Sequence, residues 1–141
     1  MSSGKFKILI VDDDADLREA LSFFLQSHGY LVLKAADARE GLLLARLQRP
    51  DLMLMDLMMG ERTEGMFAVQ EMRQIPELRE VPIFVISALY SRLPDFGIAP
   101  NRAWLGHDEF FPKPVDLDAL LTAIRRRLTP PSTGPTPEER P

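Results

Sequence analysis

Short apolar runs alternate with longer amphipathic stretches along this chain. Four of the runs have the length of β-strands, at residues 5–11, 30–35, 51–56 and 81–87. A fifth, briefer run covers residues 108–111, and the adjoining Pro112 indicates a strand at the edge of a sheet. The pattern therefore predicts five strands.

The stretches between the strands carry apolar residues at helical spacing. From Leu17 to Leu25 these residues recur at i, i+3, i+4, i+7 and i+8, which predicts an amphipathic helix. Asp14 is placed to cap the N-terminus of this helix, and Gly29 to end it. Three further helices are predicted at residues 37–47, 66–75 and 117–128.

Local signals mark the ends of these helices. Asp37 and Glu40 have the spacing of a capping box, and Asp116 is placed to cap the last helix. Pro76 stops the third helix, because proline lacks the N–H that a helix interior needs. The arginines at residues 125–127 fall in the last turn, where positive charge is favoured by the helix dipole.

Two segments depart from the alternation. Residues 91–106 contain Pro94 and Pro100, so an irregular segment with at most a short helix at about residues 100–105 is predicted in place of one long helix between strands four and five. Residues 129–141 hold five of the chain's twelve prolines and almost no apolar bulk. Such a composition cannot offset the entropy of ordering, which predicts a disordered Pro-rich tail after a domain at residues 5–128.

Five alternations of strand and helix predict an α/β fold with a doubly wound, five-stranded parallel sheet of order 2-1-3-4-5. Strands one and three are neighbours in that order. The acids that follow them, Asp12, Asp13 and Asp56, should meet at the carboxyl edge of the sheet. Ser87 and Lys113, at the ends of strands four and five, should join them.

The carboxylates of this predicted site repel one another. Two unit charges about 4 Å apart cost about 4 kcal/mol at an effective dielectric of about 20, so the cluster needs a cation or raised pKa values. An all-oxygen site without His or Cys suits Mg²⁺ or Mn²⁺. Together with the Ser87 hydroxyl and the Lys113 ammonium, the cluster fits metal-assisted phosphoryl transfer to the Asp56 carboxylate.

The composition narrows the class of protein. The chain has 141 residues, enough for one domain, and a net charge of −4, which disfavours a general nucleic-acid or membrane-surface binder. There is no cysteine, hence no disulfide framework, and the N-terminal apolar run is too short for a signal or membrane segment. A cytoplasmic location is therefore expected.

Four motifs in this order resemble the receiver domain of two-component response regulators, at residues 8–14, 51–59, 81–88 and 106–114. The resemblance covers residues 5 to about 128 and implies the 2-1-3-4-5 fold, which chemotaxis receivers share. It implies a phosphoacceptor in phosphorelay signalling rather than an enzyme. Its expected partners are a histidine kinase or histidine phosphotransfer protein and a downstream protein, without direct contact with nucleic acid or membrane.

Transferred to this chain, the resemblance implies a role for each site residue. Asp56 is the phospho-acceptor. Asp12 and Asp13 are the acidic pair that binds Mg²⁺, with Asp13 as the direct ligand and Asp12 acting mainly through water. The backbone carbonyl of Met58 completes the protein's share of the metal shell.

Three further positions match family features. Ser87 corresponds to the switch hydroxyl, Lys113 to the lysine that pairs with the phosphoryl group, and Phe110 to the aromatic whose rotamer changes on activation. The Lys113–Pro114 bond matches the position of a cis peptide, which X-Pro bonds adopt at low cost.

The chain departs from the family at two places. Gly60 stands where a proline is usual, and the loop at residues 60–65 is one residue longer. The segment between Ser87 and Lys113 is about four residues longer and broken by prolines, which puts the usual docking or dimerisation face in doubt.

Two alternatives remain open. A receiver-like module could bind a partner without being phosphorylated. Less favoured is a phosphatase of the haloacid dehalogenase type with Asp12 as nucleophile and Asp14 as acid, since Asp16 stands where that family has Thr or Val. With no output domain after residue 128, a stand-alone receiver, or one excised from a longer chain, is expected.

Overall fold

The computed structural model describes residues 5–57, 64–87 and 108–128. Its centre is a five-stranded parallel sheet in the order β2-β1-β3-β4-β5, as predicted. The strands are β1 (Lys7–Val11), β2 (Leu31–Ala35), β3 (Leu52–Met55), β4 (Ile83–Ser87) and β5 (Glu109–Pro112). The helices are α1 (Ala15–Gln26), α2 (Ala38–Gln48), α3 (Glu64–Met72) and α4 (Leu117–Arg127).

The third helix differs most from its predicted bounds of 66–75. It begins at Glu64 and ends at Met72, and a short 3₁₀ turn follows at Pro76–Leu78. Ile75 is extended, with φ −94° and ψ 118°, because the proline ring after it disfavours the helical region. The helix therefore ends at Met72, three residues before its predicted end at Ile75.

Aspartate side chains cap three of the helices, as predicted. Asp14, Asp37 and Asp116 each accept a hydrogen bond from the backbone N–H three residues later. The prediction of a capping box at α2 is wrong in one detail. The Glu40 carboxylate returns its bond to the N–H of Ala36, at 2.9 Å, and not to that of Asp37.

The apolar side chains form two clusters, one on each face of the sheet. Alternate residues of the central strands supply them, since strand side chains point to opposite faces. The cluster beneath α2 and α3 includes Leu9, Val11, Met53 and Met55. The cluster beneath α1 and α4 includes Ile8, Ile10, Leu52 and Leu54. The methionines of β3 are therefore core residues rather than ligands for a soft metal.

Asp108 fixes the amino edge of the sheet, on the side away from the carboxyl ends of the strands. Its buried carboxylate accepts hydrogen bonds from the N–H of Ile83 at 2.8 Å and from the Arg73 guanidinium at 2.9 Å. Arg73 also donates to the carbonyls of Arg79 and Val81. The sequence marks Asp108 only as the start of a strand, yet it ties β4 to the segment that follows α3.

Three of the predicted segments fall outside the described residues. These are the irregular segment at 91–106, the tail at 129–141 and the loop at 60–63. The last two residues of the predicted loop, Glu64 and Gly65, belong to α3. In the parts of the chain that are described, no helix has the length and apolar character that a bilayer crossing requires.

Candidate functional site

Asp12 and Asp56 meet because β1 and β3 are parallel neighbours. Val11 is in register with Met55, so the residue after each strand is an aspartate at the same edge. The N–H of Asp56 donates to the carbonyl of Val11 at 3.0 Å, which continues the pairing for one more residue. Both carboxylates are buried, at 3% and 4% exposure.

Asp13 brings a third carboxylate to the pair. One oxygen from each of Asp12, Asp13 and Asp56 lies within 4.8 Å of the other two, and Asp13 is exposed. Apart from this cluster, Asp13 has no hydrogen bond or ion pair within residues 5–57, 64–87 and 108–128. It is therefore the acid of the three that is available to a ligand arriving from solvent.

Lys113 supplies the positive charge of the site. Its ammonium lies 2.9 Å from Asp12 Oδ2 and 3.1 Å from Asp56 Oδ2, so it bridges the two buried acids. Its backbone N–H donates to the carbonyl of Ser87 at 3.2 Å. The Lys113–Pro114 peptide is cis, as the family resemblance implied.

Two opposing effects act on the pKa of Lys113. Burial lowers it, since the charged form loses solvation, while hydrogen bonds to Asp12 and Asp56 and their negative charges raise it. The charges and hydrogen bonds prevail, and the pKa of Lys113 lies above its ordinary value. The ammonium stays protonated across the physiological range.

The loop after β1 is held by a set of local hydrogen bonds. The N–H of Asp14 donates to Asp12 Oδ1 at 2.9 Å, and the Asp14 side chain accepts from the N–H of Leu17. The Arg18 guanidinium donates to the backbone carbonyl of Asp12 at 2.8 Å. Arg18 carries no signal in the sequence, because a bond from an arginine to a backbone carbonyl six residues earlier follows no periodic pattern.

The predicted switch residues lie beside this cluster in the sheet. Ser87 is the last residue of β4 and is fully buried. Phe110 in β5 is in register with Val85 and is half-buried against the cluster beneath α2 and α3. The roles of both residues stay predictions. Met58, whose carbonyl was predicted to bind metal, lies outside the described residues.

Gly65 brings α3 against the backbone of the two residues that follow β3. A Cβ at this position would collide with the carbonyl oxygen of Asp56 and lie 2.7 Å from the Cα of Leu57. The N–H of Gly65 donates to the carbonyl of Leu57 at 3.1 Å. Only glycine permits this approach, whereas the sequence pattern predicts a loop at Gly65.

The cluster has the oxygen donors and the excess negative charge that favour a hard divalent cation. Three carboxylates and one ammonium leave a formal charge of −2. The side-chain donors are all oxygens, which Mg²⁺ prefers and Mn²⁺ accepts. The residues present therefore fit Mg²⁺, with Asp12, Asp13 and Asp56 as its side-chain ligands or the anchors of its waters.

The fold and this acidic edge define a class of protein. The sequence model of the response regulator receiver domain family matches residues 8–125, and the chain belongs to this family. Receiver domains serve in two-component signalling and bind Mg²⁺ at such an acidic site.

Relatives and solved structures agree with the assignment. Response regulator MprA of Mycolicibacterium vanbaalenii is 37% identical over 129 residues, covering 88% of this chain and 52% of that protein. The probable transcriptional regulator ycf27 of Cyanophora paradoxa is 32% identical, covering 96% and 55%. The chain thus spans about half the length of the curated relatives it matches.

Two solved structures show the same fold. Chemotaxis protein CheY4 of Vibrio cholerae has a TM-score of 0.75 at 30% identity, covering 88% of this chain and 99% of that one. The receiver domain of sensor histidine kinase PA1611 from Pseudomonas aeruginosa, with a magnesium ion in its active site cleft, has a TM-score of 0.73 at 27% identity. It covers 86% of this chain and 96% of the PA1611 chain.

Proposed function

We propose that this chain accepts a phosphoryl group on the Asp56 carboxylate, with Mg²⁺, from a histidine kinase or a histidine phosphotransfer protein. One observation carries the proposal. Asp56 directly follows the central strand β3 and is 4% exposed, beside a second buried acid and a lysine that bridges the two. A carboxylate buried beside another acid and a lysine is a candidate nucleophile rather than a solvated residue at a strand end.

The metal has defined ligands in this proposal. Asp13 binds Mg²⁺ directly, Asp12 acts mainly through water, and Asp56 and the Met58 carbonyl complete the protein's share. The magnesium ion in the cleft of the PA1611 receiver supports this assignment. When bound, the ion offsets negative charge that builds up as the phosphoryl group meets the carboxylates. Mn²⁺ should substitute, since it accepts the same oxygen donors.

The chain's own side chains account for the rest of the transfer. A carboxylate oxygen of Asp56 forms the new O–P bond as the N–P bond of the donor's phosphohistidine breaks, and the imidazole nitrogen keeps the electron pair. Lys113 is already at the acceptor and would pair with the incoming phosphoryl oxygens. The Ser87 hydroxyl would contact the acyl phosphate, and Phe110 would change its packing in response.

The signalling context is also part of the proposal. The curated relatives are about twice as long, so the output of this chain comes from a downstream protein or from sequence beyond the receiver. We expect the receiver itself to act in the cytoplasm through protein contacts, without touching nucleic acid or membrane.

The alternatives make different demands on the site. In the phosphatase alternative Asp14 would act as an acid, but its carboxylate already caps α1 by accepting the N–H of Leu17 at 3.1 Å. A binding module without phosphorylation would not need two buried acids at this edge of the sheet, since apolar residues could take their place without loss of stability. Both observations favour the phospho-acceptor.

Intact mass measurement tests the proposal. Wild type, Asp56→Asn and Asp51→Asn are incubated with acetyl phosphate, with Mg²⁺ or with a chelator. Asp51 is a matched control, because it precedes the same strand and binds the N–H of Lys7 at the opposite edge. We expect one phosphoryl group on wild type and Asp51→Asn, only with Mg²⁺, and none on Asp56→Asn. A folded wild type without any mass gain would favour the binding module.

A further inference from the structure

We propose that Arg18 is a positioning residue for the metal site. By holding the carbonyl of Asp12, it sets the direction of the Asp13 carboxylate. The inference rests on the proposed Mg²⁺ site and assigns a role to a residue that contacts neither the metal nor the phosphoryl group.

The Arg18 side chain holds the start of the loop between β1 and α1. Its guanidinium donates to the carbonyl of Asp12 at 2.8 Å, and its backbone N–H donates to the carbonyl of Asp14 at 2.9 Å. The carbonyl of Asp12 and the N–H of Asp13 belong to one peptide plane, so fixing the oxygen fixes the plane. The half-buried side chain of Arg18 thereby restricts the peptide before Asp13, while its backbone bond belongs to the first turn of α1.

Asp13 needs such a restraint. It is exposed, and its carboxylate oxygen lies within 4.8 Å of oxygens from Asp12 and Asp56. Repulsion from two like charges would turn an unrestrained side chain toward solvent. The peptide before Asp13 is held by Arg18, and the peptide after it by the bond from the N–H of Asp14 to Asp12 Oδ1. The Cα–Cβ bond of Asp13 is therefore aimed before a metal arrives.

The surroundings of Arg18 favour this backbone contact over an ion pair. It is the fourth residue of α1, near the end of the helix where the dipole disfavours positive charge. Within the described residues its side chain forms no ion pair, and the carbonyl of Asp12 is its hydrogen-bond partner. Arg18 is thus placed for a backbone contact rather than for a carboxylate.

Replacing Arg18 distinguishes its positioning role from the effect of its charge, because the two have opposite effects on Mg²⁺ affinity. Losing a cation beside three carboxylates should by itself tighten Mg²⁺ binding. Losing the restraint on Asp13 should weaken it, by about tenfold if Arg18 behaves like other groups that orient a ligand. We expect Arg18→Met to bind Mg²⁺ about tenfold more weakly than wild type, as measured by NMR titration of backbone amides.

Arg46→Met is the matched control. It makes the same substitution and the same charge change at an exposed position of α2, and its Mg²⁺ affinity should stay at the wild-type value. Unchanged or tighter Mg²⁺ binding by Arg18→Met would overturn the inference. A wild type that binds no Mg²⁺ would overturn the proposed function itself, so the two failures are distinguishable.

A second readout excludes a general loss of stability. Mg²⁺ demands near-octahedral geometry, whereas Ca²⁺ tolerates irregular ligands. A misdirected Asp13 should therefore cost more affinity for Mg²⁺ than for Ca²⁺, and the Mg²⁺/Ca²⁺ preference should fall. Arg18→Lys keeps the charge without the planar fork and should lower the preference in the same direction, which covers the case of a Met variant that fails to fold. If the folded variants kept the Mg²⁺/Ca²⁺ preference of wild type, Arg18 would not position the ligand.

Discussion

Lys113 and Asp12 form an ion pair of 2.9 Å between the loop after β5 and the end of β1, although β3 and β4 lie between these two strands in the sheet. The same ammonium reaches Asp56 at 3.1 Å. In the absence of metal, one lysine thus compensates two buried acids, and the stability of the free protein depends on it.

Replacing Lys113 by methionine should destabilise the metal-free protein. Two buried carboxylates would lose the ammonium that they share, at a cost of about 2 kcal/mol in the free energy of unfolding. Mg²⁺ should recover most of the loss, because it supplies the missing positive charge. Urea unfolding in chelator and in Mg²⁺ measures both quantities.

Lys34→Met is the control for that experiment. Lys34 pairs with Glu19 at 2.8 Å, but both side chains are exposed, and such pairs contribute little. Its effect should be small and independent of Mg²⁺. Equal losses in the two variants would show that the Lys113 bridge is no more important than a surface pair.

The Lys113 bridge should weaken at high pH. Because the pKa of Lys113 is raised in the folded protein, its contribution is fully present below the ordinary lysine pKa of about 10.4. The contribution is lost as the pH rises through the folded pKa. The stability difference between wild type and Lys113→Met, measured in chelator, should stay constant up to about pH 10 and then shrink. A difference that grows with pH would reverse the sign of the coupling.

Gly65→Ala should damage the site as well as the fold. The new Cβ meets the backbone of Asp56 and Leu57, which cannot move aside as a flexible side chain could. We expect the free energy of unfolding to fall by about 1–3 kcal/mol and Mg²⁺ binding to weaken, since the Asp56 carboxylate would shift. Urea unfolding and a Mg²⁺ titration of the same sample give both values.

Gly29→Ala provides the contrast. Gly29 has φ +92° and open space around it, so alanine there should cost about 1–2 kcal/mol from backbone strain alone. Mg²⁺ affinity should remain that of wild type, because the turn lies at the far end of α1. If Gly65→Ala also kept its Mg²⁺ affinity, the contact of α3 with Asp56 would have no role in the site.

Gly41→Ala tests how closely α2 packs on β1. Its Cβ would lie 2.6 Å from Cγ2 of Val11, an overlap that costs about 1–3 kcal/mol. The gain in helix propensity is about 1 kcal/mol, so the net effect should be destabilising. Adding Val11→Ala should relieve the overlap. The double variant should then be about 1 kcal/mol more stable than the sum of the two single effects predicts. Strict additivity in urea unfolding would rule out the contact.

The sequence was sufficient where one strong physical signal determined the outcome. An unbroken apolar run that ends in Asp56 predicts a buried strand with an acid at its edge, and parallel neighbours then bring Asp12 to the same place. Side-chain bonds to backbone groups and across the sheet gave no such signal. The contact of Arg18 with the Asp12 carbonyl, and those of Asp108 with Arg73 and the N–H of Ile83, depend on tertiary geometry and not on a periodic pattern along the chain.

The two methionines of β3 give the protein a built-in spectroscopic reporter. Met53 and Met55 are fully buried in the cluster beneath α2 and α3, and Met55 is bonded directly to Asp56, the proposed phospho-acceptor. Thioether methyl groups carry sharp, well-separated NMR signals, and ¹³C labelling of methionine alone would make them visible. Chemical modification of Asp56 should therefore be readable from the core side, through the Met55 methyl group, without a probe on the surface.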